Sequence, residues 1–86
     1  MIYQIYIQRR AQKVLANIAQ TYQDKIVSVI RSLSETPRPH GSKKLTGRNA
    51  WRIRIGEYRV IYEINDQNLS VNINDIGHRG KIYKNL

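Results

Sequence analysis

Arginine occupies alternate positions at Arg52 and Arg54 and returns at Arg59, in a stretch that also holds Arg38, Lys43, Lys44 and Arg48 and whose only acid is Glu57. A guanidinium is a planar fork that grips phosphate oxygens two at a time, so the stretch is a candidate phosphate-binding surface. Further along, His78-Arg79 lies between Gly77 and Gly80, with Lys81 and Tyr83 close behind. The glycines let the chain bend, and a bend here is expected to bring His78, Arg79 and Tyr83 beside the arginines. Imidazole can change its charge near neutral pH, and an aromatic ring among arginines suits stacking on an unpaired base. Plainer roles also fit: His78 as a surface group, and Tyr83 as an anchor for the tail in an apolar groove.

For the arginines to act together they must share one surface, which the neighbouring pattern supplies. Trp51, Ile53 and Ile55 alternate with Arg52 and Arg54, Gly56-Glu57 suits a two-residue turn, and Tyr58, Val60, Tyr62 and Ile64 then alternate with Arg59, Ile61 and Glu63. This hairpin sets Ile55 opposite Tyr58, Arg54 opposite Arg59 and Ile53 opposite Val60, and opposed residues share a face. Arg52, Arg54 and Arg59 therefore project from one side. Trp51, Ile53, Ile55, Tyr58, Val60, Tyr62, Leu69, Val71 and Ile73 form the other, dry side. Like charges directly across a strand pair cost roughly a few tenths of a kcal/mol, so an anion is expected to offset them, unless Glu57 or Glu63 does so from within the chain.

The remaining elements cover the dry side. Ile2 to Ile7 is a short β-branched and aromatic run that predicts a strand. From about Arg9, the apolar residues Ala11, Val14, Leu15, Ile18, Ala19 and Tyr22 recur at helical spacing. A second helix follows from about Gln23, with Ile26, Val29, Ile30 and Leu33 inward, and it ends before Pro37. Thr36 to Gly47 predicts a basic loop, and Asn65 to Asn68 a turn into a last strand through Ile73. The order β-α-α-β-β-β predicts an α+β fold, an antiparallel sheet with a helical hairpin packed on one face.

The bulk properties narrow the possibilities. With 86 residues the chain is expected to form a single domain over 1–86 with a small core. Fifteen Lys and Arg against six Asp and Glu give +9, which favours a polyanionic partner without distinguishing RNA, DNA or an anionic membrane. No cysteine is present, which excludes disulfides, thiolate zinc sites and a cysteine nucleophile. No Asp, Glu and His group has metal-ligand spacing, so neither metal nor cofactor is expected. No segment approaches the ~18 apolar residues of a membrane span, and the first ten residues alternate in the manner of a strand, not an export signal. A cytoplasmic protein without a membrane partner is expected.

The run from Trp51 to Ile64, the Lys-Leu-x-Gly at Lys44 to Gly47, and Ile76-Gly77-His78-Arg79 followed by Ile82-Tyr83 together resemble the RelE toxins of the RelE/ParE superfamily, across nearly the whole chain. The resemblance implies the toxin of a type II toxin-antitoxin system. Such a toxin is a ribosome-dependent endoribonuclease that cleaves mRNA in the decoding site and is blocked by a cognate antitoxin. By position, Arg52 and Arg54 match the family's basic-x-basic pair, Arg59 the arginine of its Tyr-Arg motif, Arg79 the arginine after the last strand, and Tyr83 the C-terminal tyrosine. The familiar pair is Lys-x-Lys, whose second lysine accepts the ribose 2′-hydroxyl proton; Arg54 stands there, and a guanidinium is a poor proton acceptor.

Metal-free cleavage needs in-line attack of the 2′-oxygen on phosphorus and stabilisation of charge on the phosphoryl oxygens. Arg52, Arg59 and Arg79 are expected to supply that charge and His78 to act as acid or base. Lys43, Lys44, Arg48 and Lys81 would hold the RNA backbone, while His40, in the basic loop, fits either a contribution to the proton transfer or a solvated surface role. Two other readings remain open: a gyrase inhibitor like the ParE branch, and a nucleic-acid-binding module without catalysis.

Overall fold

The computed structural model describes residues 2–47 and 49–78. Strand β1 (Gln4–Ile7) leads into helices α1 (Arg9–Ala16) and α2 (Gln20–Ser32), and strands β2 (Lys43–Lys44), β3 (Trp51–Ile55), β4 (Tyr58–Asn65) and β5 (Ser70–His78) follow. The sheet has the order β1-β5-β4-β3-β2, antiparallel throughout except where β1 joins β5 in parallel. The α+β class and the placement of the helices on one face match the sequence reading.

The arginine hairpin forms in the expected register, with Ile55 opposite Tyr58, Arg54 opposite Arg59 and Ile53 opposite Val60. Gly56 has φ 60° while Glu57 does not enter the positive-φ region, which is the pattern of a turn needing glycine at its first central position. Ile53, Ile55, Val60, Tyr62, Ile64, Val71, Ile73 and Ile76 from the sheet meet Ala11, Ile26 and Ile30 from the helices, and Leu33 just past the end of α2, in one core. Each such aliphatic side chain contributes about 1.5–3 kcal/mol by leaving water.

Three features depart from the sequence reading. First, α1 stops at Ala16, so Ile18, Ala19 and Tyr22 are not on it. Asn17 ends the helix by turning its side chain back to donate to the Lys13 carbonyl at 2.9 Å, a local bond that competes with continued helix. Ile18 then fills the junction, and Tyr22 belongs to α2, against Tyr58 with ring centroids 5.6 Å apart.

Second, the expected basic loop contains strand β2, which pairs Lys43 with Arg52 and Lys44 with Trp51. The preceding segment is pinned, because Tyr62 donates its hydroxyl to the Pro37 carbonyl at 2.8 Å and Arg38 forks onto Asp66 at 2.9 and 3.3 Å.

Third, β5 carries a bulge: Ile61 faces Asp75 while Tyr62 faces Ile73, leaving Asn74 as the extra residue. A bulge reverses which side later residues face. Ile76 thereby enters the core, Gly77 lies opposite Arg59, and His78 lies opposite Tyr58. The expected bend after Asp75 is instead strand through His78.

Candidate phosphate-binding face

On the side of the sheet away from the helices, pairing sets the side chains in rows. Arg54, Arg59 and Gly77 form one row, and Lys43, Arg52, Ile61 and Asp75 the next. A third runs through Glu63, Asn72 and Tyr6. Arg52, Arg54 and Arg59 thus share one face, and β2 adds Lys43 to it.

This face is less wet than the alternation implies. Ile61 is fully buried with Ala50, and Leu45 packs against them. Leu45 and Ala50 are tied together within this small apolar patch, the Leu45 amide donating to the Ala50 carbonyl at 2.9 Å. Around the turn, Lys44, Leu45, Thr46, Gly47 and Asn49 line an open basin.

Arg59 is 5% exposed, and its Nε and Nη1 have no hydrogen-bond partner. A buried cation with two unmatched nitrogens is costly, so the geometry suits an anion brought from outside. Neither Glu57 nor Glu63 forms an ion pair with Arg54 or Arg59; among the described residues the ion pairs of this chain include Arg10 with Asp75 and Arg38 with Asp66. The internal neutralisation considered from sequence is therefore not what the fold uses for these two arginines.

Asp75 is the buried acid on this face, and sequence reasoning missed it. Its Oδ2 accepts from Arg10 at the start of α1, and its Oδ1 accepts the Ile76 amide at 3.0 Å. That hydrogen bond raises the Arg10 pKa, and the pair keeps the carboxylate occupied away from the arginines. The bulge at Asn74 delivers Asp75 to this side, and the alternating sequence gives no sign of it.

His78 is a correction to the expected site. It pairs with Tyr58, so it shares the helix-bearing side of the sheet and meets the Tyr58 ring edge-on at 5.5 Å. The reason is again the bulge, which moves it across the sheet from the arginine rows. Lys44, paired with Trp51, likewise lies off the arginine face. Arg48, Arg79, Lys81 and Tyr83 lie outside the described residues.

Electrostatics elsewhere are structural. The hydrogen bond from Arg38, and then that from Tyr3 at 2.6 Å, hold the Asp66 carboxyl below its ordinary range. The same contact with Asp66 raises Tyr3, and burial raises Tyr62. Arg38 also lies 5.3 Å from the Trp51 ring centroid, so the loop ahead of β2 is tied to both the β4–β5 turn and the start of β3.

The fold and this face define a small α+β protein with a cationic sheet surface. A model of the ParE toxin of type II toxin-antitoxin systems matches residues 5–83, and the chain belongs to that family, within the RelE/ParE superfamily. The archaeal RelE in complex with RelB from Pyrococcus horikoshii is 26% identical, over 94% of this chain and 99% of that one, with a TM-score of 0.84. The RelBE2 toxin-antitoxin complex of Mycobacterium tuberculosis, 24% identical over 92% and 100% of the chains with a TM-score of 0.80, shares the fold. So does a YoeB/ParE toxin from Agrobacterium tumefaciens, at 17% identity over 88% and 98% with a TM-score of 0.76. No curated protein matches the sequence.

Proposed function

We propose that this chain is a RelE-type endoribonuclease that cleaves mRNA on the ribosome and is held inactive by a cognate antitoxin. The observation that carries the proposal is Arg59, buried on a cationic face with two guanidinium nitrogens unmatched. In this reading the 2′-oxygen attacks phosphorus in line, the bond to the 5′-oxygen breaks, and the 2′-hydroxyl proton ends on the leaving oxygen. Arg59 and Arg52 hold the phosphoryl oxygens as charge builds on them, with Arg54 two residues on from Arg52 in β3 and opposite Arg59. Arg79 and Tyr83 join from the family's sequence pattern, and Lys43 steers the RNA backbone. His78, on the other side of the sheet, is given no proton-transfer role. Preorganised charge suits a reaction that the ribosome helps to position.

The antitoxin reading is supported by relatives solved as RelE–RelB complexes, and by the +9 charge of this chain, which favours an acidic or amphipathic partner. The test is to add the purified chain to a ribosome stalled with an empty decoding site and to map mRNA 5′ ends, beside Arg54→Ala and Arg59→Ala. New ends that fade in both variants are expected; intact mRNA with the folded protein would sink the proposal.

The matching family model is that of ParE, which favours gyrase inhibition as a second reading. Loss of DNA supercoiling by gyrase in the presence of the chain, with mRNA left intact, would establish it instead.

A further inference from the structure

The third row of the open face contains a carboxylate where an RNA surface would not be expected to have one. Glu63 is exposed, lies on the same side of β4 as Arg59, and forms no ion pair with Arg54 or Arg59. Its cross-strand neighbour is Asn72, whose other neighbour is Tyr6 on β1. Glu63 and Asn72 line a depression of about 210 Å³ together with Asn49, Asn65 and Ser70. Two of these polar groups are already oriented. Gln8 Nε2 donates to Asn72 Oδ1 at 2.9 Å, which turns the Asn72 NH2 toward other acceptors, and Asn65 Oδ1 accepts the Gln67 and Asn68 amides at 3.0 and 3.1 Å. Beside the depression, Tyr6 is 58% exposed.

We propose that Glu63, Asn72 and Tyr6 form a guanine-binding subsite that selects the RNA bound along the arginine rows, an inference that rests on reading this face as an RNA surface. A carboxylate is a fork of two acceptors, and guanine is the base that presents two adjacent donors, N1–H and the N2 amino group, on one edge. Adenine, cytosine and uracil each offer one donor group there, beside acceptors that a carboxylate repels. The Asn72 NH2 is the donor that O6 of the same guanine requires, and an exposed tyrosine is a stacking platform for the ring. The spacing also fits. Each second residue of a strand advances about 6.6–6.8 Å, so Glu63 lies about 13 Å along β4 from Arg59, a reach of one or two nucleotides from a phosphate held there.

The test uses the full chain and two readouts. In the first, fluorescence anisotropy compares binding of the single-stranded tetranucleotide UUGU with UUAU and with the same oligonucleotide carrying inosine, which lacks the N2 amino group. About a tenfold preference for guanine over both is expected. Glu63→Gln should remove the preference, although losing a negative charge tightens binding to every RNA, and Tyr6→Ala should weaken all three alike. In the second readout, mRNA cleavage on stalled ribosomes is compared across decoding-site codons with and without guanine. Guanine selectivity in binding with no cleavage would leave the subsite standing and defeat the ribonuclease reading. Cleavage without guanine preference, or a preference that survives Glu63→Gln, would overturn the subsite and leave the ribonuclease reading intact.

Discussion

The two faces of one sheet are built on opposite terms. Toward α1 and α2, Val60, Tyr62, Val71 and Ile73 are fully buried against apolar side chains of the helices. On the other face Arg59 is buried almost as deeply, yet two of its guanidinium nitrogens have no partner. The first face is complete within the chain and the second is not. A fold this small can carry a cationic surface that works against its own stability only because the opposite face satisfies the requirements of folding.

The sharpest test of this division removes one residue from each face. Arg59→Ala should lower mRNA cleavage by roughly 10²- to 10³-fold, the effect of deleting one preorganised charge at a developing oxyanion, while the urea midpoint holds or rises. A falling midpoint would mean that Arg59 is structural. Ile26→Ala, on a side chain with no exposure, should do the reverse and cost about 2–5 kcal/mol of stability, out of a total of about 5–15 kcal/mol for a domain of this kind. Its cleavage rate per folded molecule should be unchanged.

A smaller effect concerns the buried acid of the arginine face. Asp75→Ala loses the contacts to Arg10 and to the Ile76 amide and should cost about 1–3 kcal/mol. If urea unfolding shows no loss, the bulge does not depend on Asp75. The smallest effect lies at the sheet's far corner. The Asp66 carboxyl is held below its ordinary range, chiefly by Arg38, so it stays ionised in the folded chain at pH values where the unfolded chain takes up a proton. Its contribution is present above the ordinary carboxylate range and is lost as pH falls through the lowered folded value. Urea midpoints below about pH 4 should therefore fall less steeply in Asp66→Asn than in the parent, and parallel curves would remove this residue from the acid response.

The hairpin was legible because glycine at position 56 and strict alternation on either side leave one register that buries Ile53, Ile55 and Val60 together. The fold class followed from it. What the sequence concealed were local bonds and a change of phase. The end of α1 depends on one asparagine amide reaching Lys13, inside a stretch whose apolar spacing continues unbroken. The bulge at Asn74 cannot be seen in a pattern that alternates up to that point, so the place of Asp75 went unread and His78 was expected on the wrong side. Lys43 joined the arginine face through a two-residue strand too short to leave a periodic signal.

The parallel union of β1 and β5 bears on when this molecule can exist. Gln4 pairs with Ser70 and Ile7 with Ile73, so among the described residues the first strand waits for the last. Such distant contacts slow folding relative to a helical bundle of equal size. During translation, β1 and both helices emerge well before the strand that must lie beside them. The face that we propose cuts mRNA is thus assembled only after β5 has been translated, and a nascent chain still short of β5 cannot yet present it.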